Sequence, residues 1–263
     1  MSNEIITSII AASVALISVA IGIYGQVRTT RLQHQLVQQR EVQSQETKAT
    51  EILAKYRDPL LRAAYDLQSR LFRLLSGTFL GTSFSKITKW ERTYLFQNTM
   101  YILAEYLGWV EILRREVRFL DLGNVQANRR LAELMESITE IFFEDSPEDP
   151  FRLLRGEQRA IGEIMIAPNT HANAAPLECI GYATFVQKLK EPDFKRWFRN
   201  LHKDIEKFIR EPTVARKRTA LLQHALIDLI DFLDPDCARI PESKRKKFKG
   251  LGERMEANDK AFR

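Results

Sequence analysis

"EILAKYRDPLLRAAYDLQSRLFRLL" (Glu51–Leu75) decides the fold class. Ile52, Leu53, Tyr56, Leu60, Ala64, Leu67, Leu71 and Leu74 follow helical spacing and lay one apolar stripe along a helix. "RDP" (57–59) reads as a helix restart, with Asp58 as N-cap and Pro59 at the first helical position. The next stretch, "SGTFLGTSFSK" (76–86), carries two glycines and breaks the helix.

The same period continues towards the C-terminus. Leu95, Ile102, Leu103, Tyr106, Val110 and Leu113 mark one helix. After "LDLGN" (120–124), Leu131, Leu134, Met135, Ile138 and Ile141 mark another. "EDSPEDP" (144–150) is an acidic, proline-containing loop, and "RLLRGEQRAIGEIMI" (152–166) is a helix starting late at Gly156. "APNTHANAAP" (167–176) is a loop, followed by helices near 178–189 and 193–209. A helix from about Thr213 to Leu233 sets Leu222, Ala225, Leu226, Leu229 and Phe232 on one face. No run alternates apolar and polar residues over a strand's length, and no internal repeat occurs. Residues 51–237 are therefore expected to form one all-α domain resembling a helical bundle.

The N-terminus points to a membrane. Ile5–Tyr24 is 20 residues without a charge, which as a helix spans about 30 Å, the hydrocarbon thickness of a bilayer. A secretory signal peptide needs a positive n-region and a shorter apolar core. Here the n-region is "MSNE" and the run is long, although "SVA" (18–20) has the form of a cleavage site. A buried soluble helix would carry a polar face, and this one offers only Thr and Ser. A retained anchor over 1–25 fits best. Glu4 precedes the span and Arg28, Arg31 and Arg40 follow it, so the N-terminus is expected outside and the remainder cytoplasmic at the inner membrane. Ser8, Ala11, Ala15, Ser18 and Gly22 draw a stripe of small residues along the span. Such a stripe lets two helix backbones approach in lipid, which would make a homo-oligomer. Residues 26–50 hold seven glutamines and no Gly or Pro, and suit a polar helical stalk.

The net charge of +6 is unevenly placed. Residues 239–263 carry nine Lys/Arg and four Asp/Glu, a net of +5, which leaves +1 for residues 1–238. The basic tail, 238–263, contains "SKRKKFKG" (243–250). Lys244, Arg245, Lys246, Lys247 and Lys249 surround Phe248, so the tail is either solvated or in contact with anionic lipid beside the anchor. Nonspecific nucleic-acid binding is the weaker alternative.

Four stretches taken together, "KYRDPLLRAAYDLQSRL" (55–71), "EYLGWVEILRREVRFLDLG" (105–123), "FRLLRGEQRAIGE" (151–163) and "DLIDFLDPD" (228–236), resemble an uncharacterised family of bacterial single-pass membrane proteins with an all-helical cytoplasmic domain. The resemblance covers about 55–240. It implies a bacterial inner-membrane protein and brings no substrate, cofactor or catalytic residue.

Motifs of known chemistry are absent from the sequence. The one GxG, Gly250–Gly252, follows no strand, and GxxxxGK[ST], GxSxG and HExxH do not occur. Cys179 and Cys237 make no CxxC pair, and His34, His171, His202 and His224 show no ligand spacing. No cofactor and no catalytic residue are expected, which leans away from an enzyme. Nucleophile–base pairs assembled from distant positions stay open.

Two clusters stand out. Arg155, Arg159 and Glu163 stack at i, i+4 and i+8 with Glu157 nearby. They form either an anion pocket or a structural network with acids such as Glu105 or Glu111. Asp228, Asp231 and Asp234 place negative charge near a helix C-terminus, against the helix dipole. They require a cation: a metal, or arginines and lysines of the chain, for instance those of "RGEQR". Taken together, a tethered interaction or sensor module with an unknown protein partner ranks first. A ligand-binding protein or enzyme using an Arg/Glu pocket ranks second, and an oligomeric membrane effector third.

Overall fold

Helix α1 covers residues 55–75, and its expected stripe is the core of the domain: Tyr56, Leu60, Ala64, Leu67, Leu71 and Leu74 are all buried. The computed structural model describes residues 26, 33, 37, 55–79, 82–116, 125–144, 149–168, 177–211 and 216–249. "RDP" does not restart the helix. The backbone is already helical at residue 55, so Pro59 sits inside α1 and Asp58 is not its cap. Proline removes one backbone donor there, while Tyr56, Leu60 and Leu61 around it are buried. Asp58 instead pairs with Arg239 at 3.0 Å.

The fold is all-α. Gly77, with φ of +66°, ends α1 and leads into a two-residue antiparallel pair, β1 (Thr78–Phe79) with β2 (Thr82–Ser83). Next come α2 (Lys89–Glu116), α3 (Val125–Phe143), α4 (Arg155–Met165), α5 (Tyr182–Lys188), α6 (Pro192–Lys195), α7 (Arg199–Arg210) and α8 (Lys217–Leu233). Thr88 and Glu91 form a capping box at the start of α2, each side chain accepting the other's backbone N–H at 3.2 and 2.7 Å.

Helix α2 is central and packs on α4, α5 and α7, while α3 packs on α8. The crossing of α2 and α4 depends on Gly108 and Gly162. A Cβ on Gly162 would stand 2.6 Å from the Leu107 carbonyl oxygen, so the helices touch backbone to backbone. A single bridge between Ile166 and Cys179 ties the end of α4 to the lead of α5.

The acidic loop before α4 is fastened from two sides. Arg218 of α8 is fully buried and donates to the backbone carbonyls of Asp149, Pro150 and Glu144, the last at 2.7 Å. Asp204 of α7 accepts the Phe151 N–H at 2.8 Å, and Phe151 stands at φ of +64° against the Phe208 ring.

Packing continues past residue 237, the expected end of the domain. Residues 238–249 form a strap against α8 and α1. The Lys244 and Lys246 carbonyls accept from Gln68 and Gln223 at 3.2 and 3.0 Å. The Phe248 N–H donates to Gln223, and its ring meets Phe72 edge-on at 5.7 Å.

The chain divides into units Met1–Glu51 and Ile52–Arg263. Of the first, Gln26, Gln33 and Val37 are described, and all three are helical. The expected anchor and its stripe, Ser8, Ala11, Ala15, Ser18 and Gly22, lie outside the described residues, as do His34, His171, Gly250 and Gly252. Among the described residues no helix is long and apolar enough to cross a membrane.

Candidate functional site

"EPDFKRWFRNLHKDIEKF" (191–208) builds one wall of a cleft. Pro192 opens α6 at its first position, a short 3-10 turn (Arg196–Phe198) follows, and α7 continues. Phe194, Phe198, Leu201, Ile205 and Phe208 of this stretch are buried. Phe185 of α5 lies 5.6 and 5.1 Å from the rings of Phe194 and Phe198. With the phenylalanines committed inward, the intervening Lys195, Arg196, Arg199 and Lys203 face outward and are exposed.

The first turns of α2 form the opposite wall. Between them lies a cavity of about 950 Å³, at the upper end of what small-molecule sites occupy. Its rim carries six Lys or Arg residues, Lys89, Arg92, Lys195, Arg196, Arg199 and Lys203, and one carboxylate, Glu206. Buried Phe96, Met100 and Phe198 and half-buried Leu189 form its floor, exposed Pro192 lies at its edge, and Thr93, Gln97 and His202 complete the lining.

Little of the cationic charge is neutralised. Glu206 is shared by Arg210 at 2.7 Å and Arg92 at 3.8 Å. Arg196 reaches the fully solvated Asp193 at 3.9 Å. Among the described residues Lys89, Lys195, Arg199 and Lys203 make no ion pair. His202 stacks on Phe96 with ring centroids 4.3 Å apart. Burial holds its pKa below the usual histidine value, and Lys195 and Arg92 add to this against the pull of Glu206.

A second polar layer lies deeper, between α1, α2 and α5. The Tyr101 hydroxyl donates to Glu105 at 2.9 Å, and Arg70 donates to Asn98. Burial pushes the carboxyls of Glu105 and Asp66 upward, and each carboxylate adds to the other's environment or to that of Tyr101. Burial, reinforced by Glu105, also drives the Cys179 thiol far above its usual value, so it is no ready nucleophile. Burial drops Arg70 to about 10. The Tyr101–Glu105 and Arg70–Asn98 bonds tie α1 and α2 side chains into a polar layer within the helices.

The residues singled out in the sequence fall elsewhere. Asp228, Asp231 and Asp234 do not pair with "RGEQR", and their cations come from the strap. Lys247 meets Asp228 at 2.6 Å, and Arg245 meets Asp231 at 3.0 Å and Asp234 at 2.6 Å. Asp234 also accepts the backbone N–H groups of Ala238, Arg239 and Ile240. Among the described residues no group of three His, Cys, Asp or Glu is placed to hold a metal ion. Arg245 is nearly buried, so it is spent on the fold rather than on lipid. Phe248 is likewise half-buried against Phe72, and His224 is within 2.9 Å of the Phe248 carbonyl. Lys244, Lys246 and Lys249 remain exposed.

The Arg/Glu cluster of α4 does not converge. Arg155 pairs with Glu136 of α3 at 2.6 Å, and Glu163 pairs with Arg115 of α2 at 3.5 Å. The Glu157 side chain accepts the Leu154 N–H at 2.9 Å, capping its own helix. Arg159 is exposed. The acids that engage Arg155 are therefore on α3, not Glu105 or Glu111. Glu111 holds Arg114 and Arg115 of its own helix.

Comparison with known protein families, with curated proteins and with solved structures gave no match.

Proposed function

We propose that this chain is a membrane-tethered helical sensor module and that its cleft between α2 and α5–α7 receives an anionic ligand. The observation that carries this is the charge balance of the cavity, six Lys or Arg residues around one shared Glu. Folding alone gains nothing from gathering like charges; their mutual repulsion costs stability unless an anion offsets it. The uncharged span Ile5–Tyr24 and the arginines after it support an anchor at a bacterial inner membrane with this domain on the cytoplasmic side. A bound ligand would then be reported to a partner at that surface.

The test is titration of the full-length chain, in phosphatidylcholine nanodiscs, with inorganic pyrophosphate. Binding should weaken as salt rises and disappear when Lys195→Glu and Lys203→Glu are combined. The His202 pKa should rise on binding, because an anion counters the field of Lys195 and Arg92. Absence of binding at low salt, with His202 unmoved, would refute the proposal.

A further inference from the structure

We infer that the ligand of this cleft is an amphiphilic phosphate: a phosphorylated head on the cationic rim with an acyl or alkyl chain on the floor. The inference rests on the anion-binding reading and goes further by naming the chemical class. Three observations carry it.

First, rim and floor differ in kind. The six cations are exposed, whereas Phe96, Met100 and Phe198 in the same lining are buried and Leu189 is half-buried. An inorganic anion would satisfy the rim and leave this carbon surface wet, whereas an apolar ligand would cover the floor and strand the charge. Only a molecule with both parts matches both surfaces.

Second, the floor suits a flexible chain better than a flat ring. His202 already stacks on the Phe96 ring, and the Arg92 guanidinium lies 5.8 Å from the same ring centre. Phe198 is almost fully buried, its ring packed against Phe185 and Phe194. Among the described lining residues the two phenylalanines, Phe96 and Phe198, are buried and already in ring contacts, which leaves them no free face for a nucleobase. The lining offers three neutral polar side chains, Thr93, Gln97 and His202, and the ring of His202 is already engaged with Phe96. Met100, Leu189 and Pro192 present aliphatic surface.

Third, the charge exceeds what a single carboxylate needs. Lys89, Lys195, Arg199 and Lys203 are all without an ion pair among the described residues. A phosphomonoester brings close to two negative charges and three acceptor oxygens at neutral pH.

The same chemistry has two sources, a lipid headgroup of the bilayer or a free alkyl phosphate. The experiment separates them. The full chain in phosphatidylcholine nanodiscs is titrated by calorimetry with hexyl phosphate, inorganic phosphate and hexanol. Hexyl phosphate should bind at least about tenfold tighter than inorganic phosphate, which requires burial of only about two methylenes. Hexanol should show no saturable binding. Leu189→Ser should weaken hexyl phosphate and leave inorganic phosphate unchanged. Lys195→Glu with Lys203→Glu should weaken both. Discs carrying phosphatidic acid should compete with hexyl phosphate if the source is the bilayer; unaltered binding assigns a free ligand, and either result upholds the chemical class. Equal affinity for inorganic and hexyl phosphate would overturn the amphiphile and leave the anion-binding reading standing. Equal affinity for hexanol and hexyl phosphate would overturn it as well. Binding of none of the three would refute both.

Discussion

Two charged places in this domain treat their charge in opposite ways. At the C-terminal strap, Asp228, Asp231 and Asp234 meet Arg245 and Lys247, and every carboxylate has a cation within 3.0 Å. At the cleft, six cations face one carboxylate that is already shared. Both regions belong to one domain. The difference separates charge that folding uses from charge that folding leaves over. A balanced, hydrogen-bonded set explains itself as architecture. An unbalanced set above an apolar floor has no architectural explanation, and that is why the ligand is assigned there.

The sharpest way to break the comparison is at Arg245. Its guanidinium is almost buried and also donates to the Ile240 carbonyl at 2.7 Å. Arg245→Ala would leave Asp234 with its three backbone N–H donors but no cation, would loosen the strap, and should cost about 1.5–3 kcal/mol in urea unfolding. A loss below about 1 kcal/mol would mean that the strap is an adornment rather than part of the fold.

Acid–base titration should pull the two regions apart next. Asp204, on the helix that forms the cleft wall, is pushed to about 6 by burial, against the Phe151 N–H and the positive charges of Lys207, Arg218 and Lys203. Its folded pKa is above its unfolded one, so the native state binds the proton more tightly. Stability from this group is present below the usual aspartate range and is lost as pH rises from about 4 to about 6, by up to about 3 kcal/mol. Asp204→Asn keeps an acceptor for Phe151 and should remove that slope from the stability profile. Asp234 behaves oppositely. Burial alone would raise its pKa, but the N–H groups of Ile240, Arg239 and Ala238, with Arg245, hold it below the usual value. Its contribution is present above the ordinary aspartate range and fades as pH falls through the depressed value.

Smaller effects on stability sharpen the contrast. Lys195→Ala combined with Lys203→Ala should leave the unfolding free energy within about 0.5 kcal/mol, or raise it slightly by relieving repulsion. The same variant should lose pyrophosphate affinity. Large destabilisation would show that the cleft cations are structural after all. Lys247→Ala removes an ion pair whose two side chains are 44% and 45% exposed, and should cost less than about 1 kcal/mol.

How far the residues could be read in advance depended on distance along the chain. The stripe from Tyr56 to Leu74 was legible because neighbours at i+3 and i+4 share a helix face whatever the rest of the chain does. The same holds for Leu95 to Leu113 and for Leu222 to Leu229. "RDP" misled because proline and aspartate are starting signals by propensity, and burial of Tyr56, Leu60 and Leu61 overrode them. The aspartate triplet was legible as a demand for cations. Which cations would answer it was not, since Arg245 and Arg159 are equally basic on paper.

The cleft shows the same limit. Its wall, "EPDFKRWFRNLHK", displays an amphipathic pattern in plain view. Its significance appears only when Lys89 and Arg92 arrive from about a hundred residues upstream. Nor does any local signal reveal Arg218 as a buried clasp, or Gly162 as the point where two helix backbones touch.

Periodicity, helix-forming composition and chain punctuation therefore settled the all-α class and most helix positions, because these are local properties of φ/ψ preference and side-chain spacing. Pairing of charges, the docking of the strap and the enclosure of a cationic cavity were settled by packing. Each requires two distant segments to be held a few ångströms apart, and only the folded core fixes that distance.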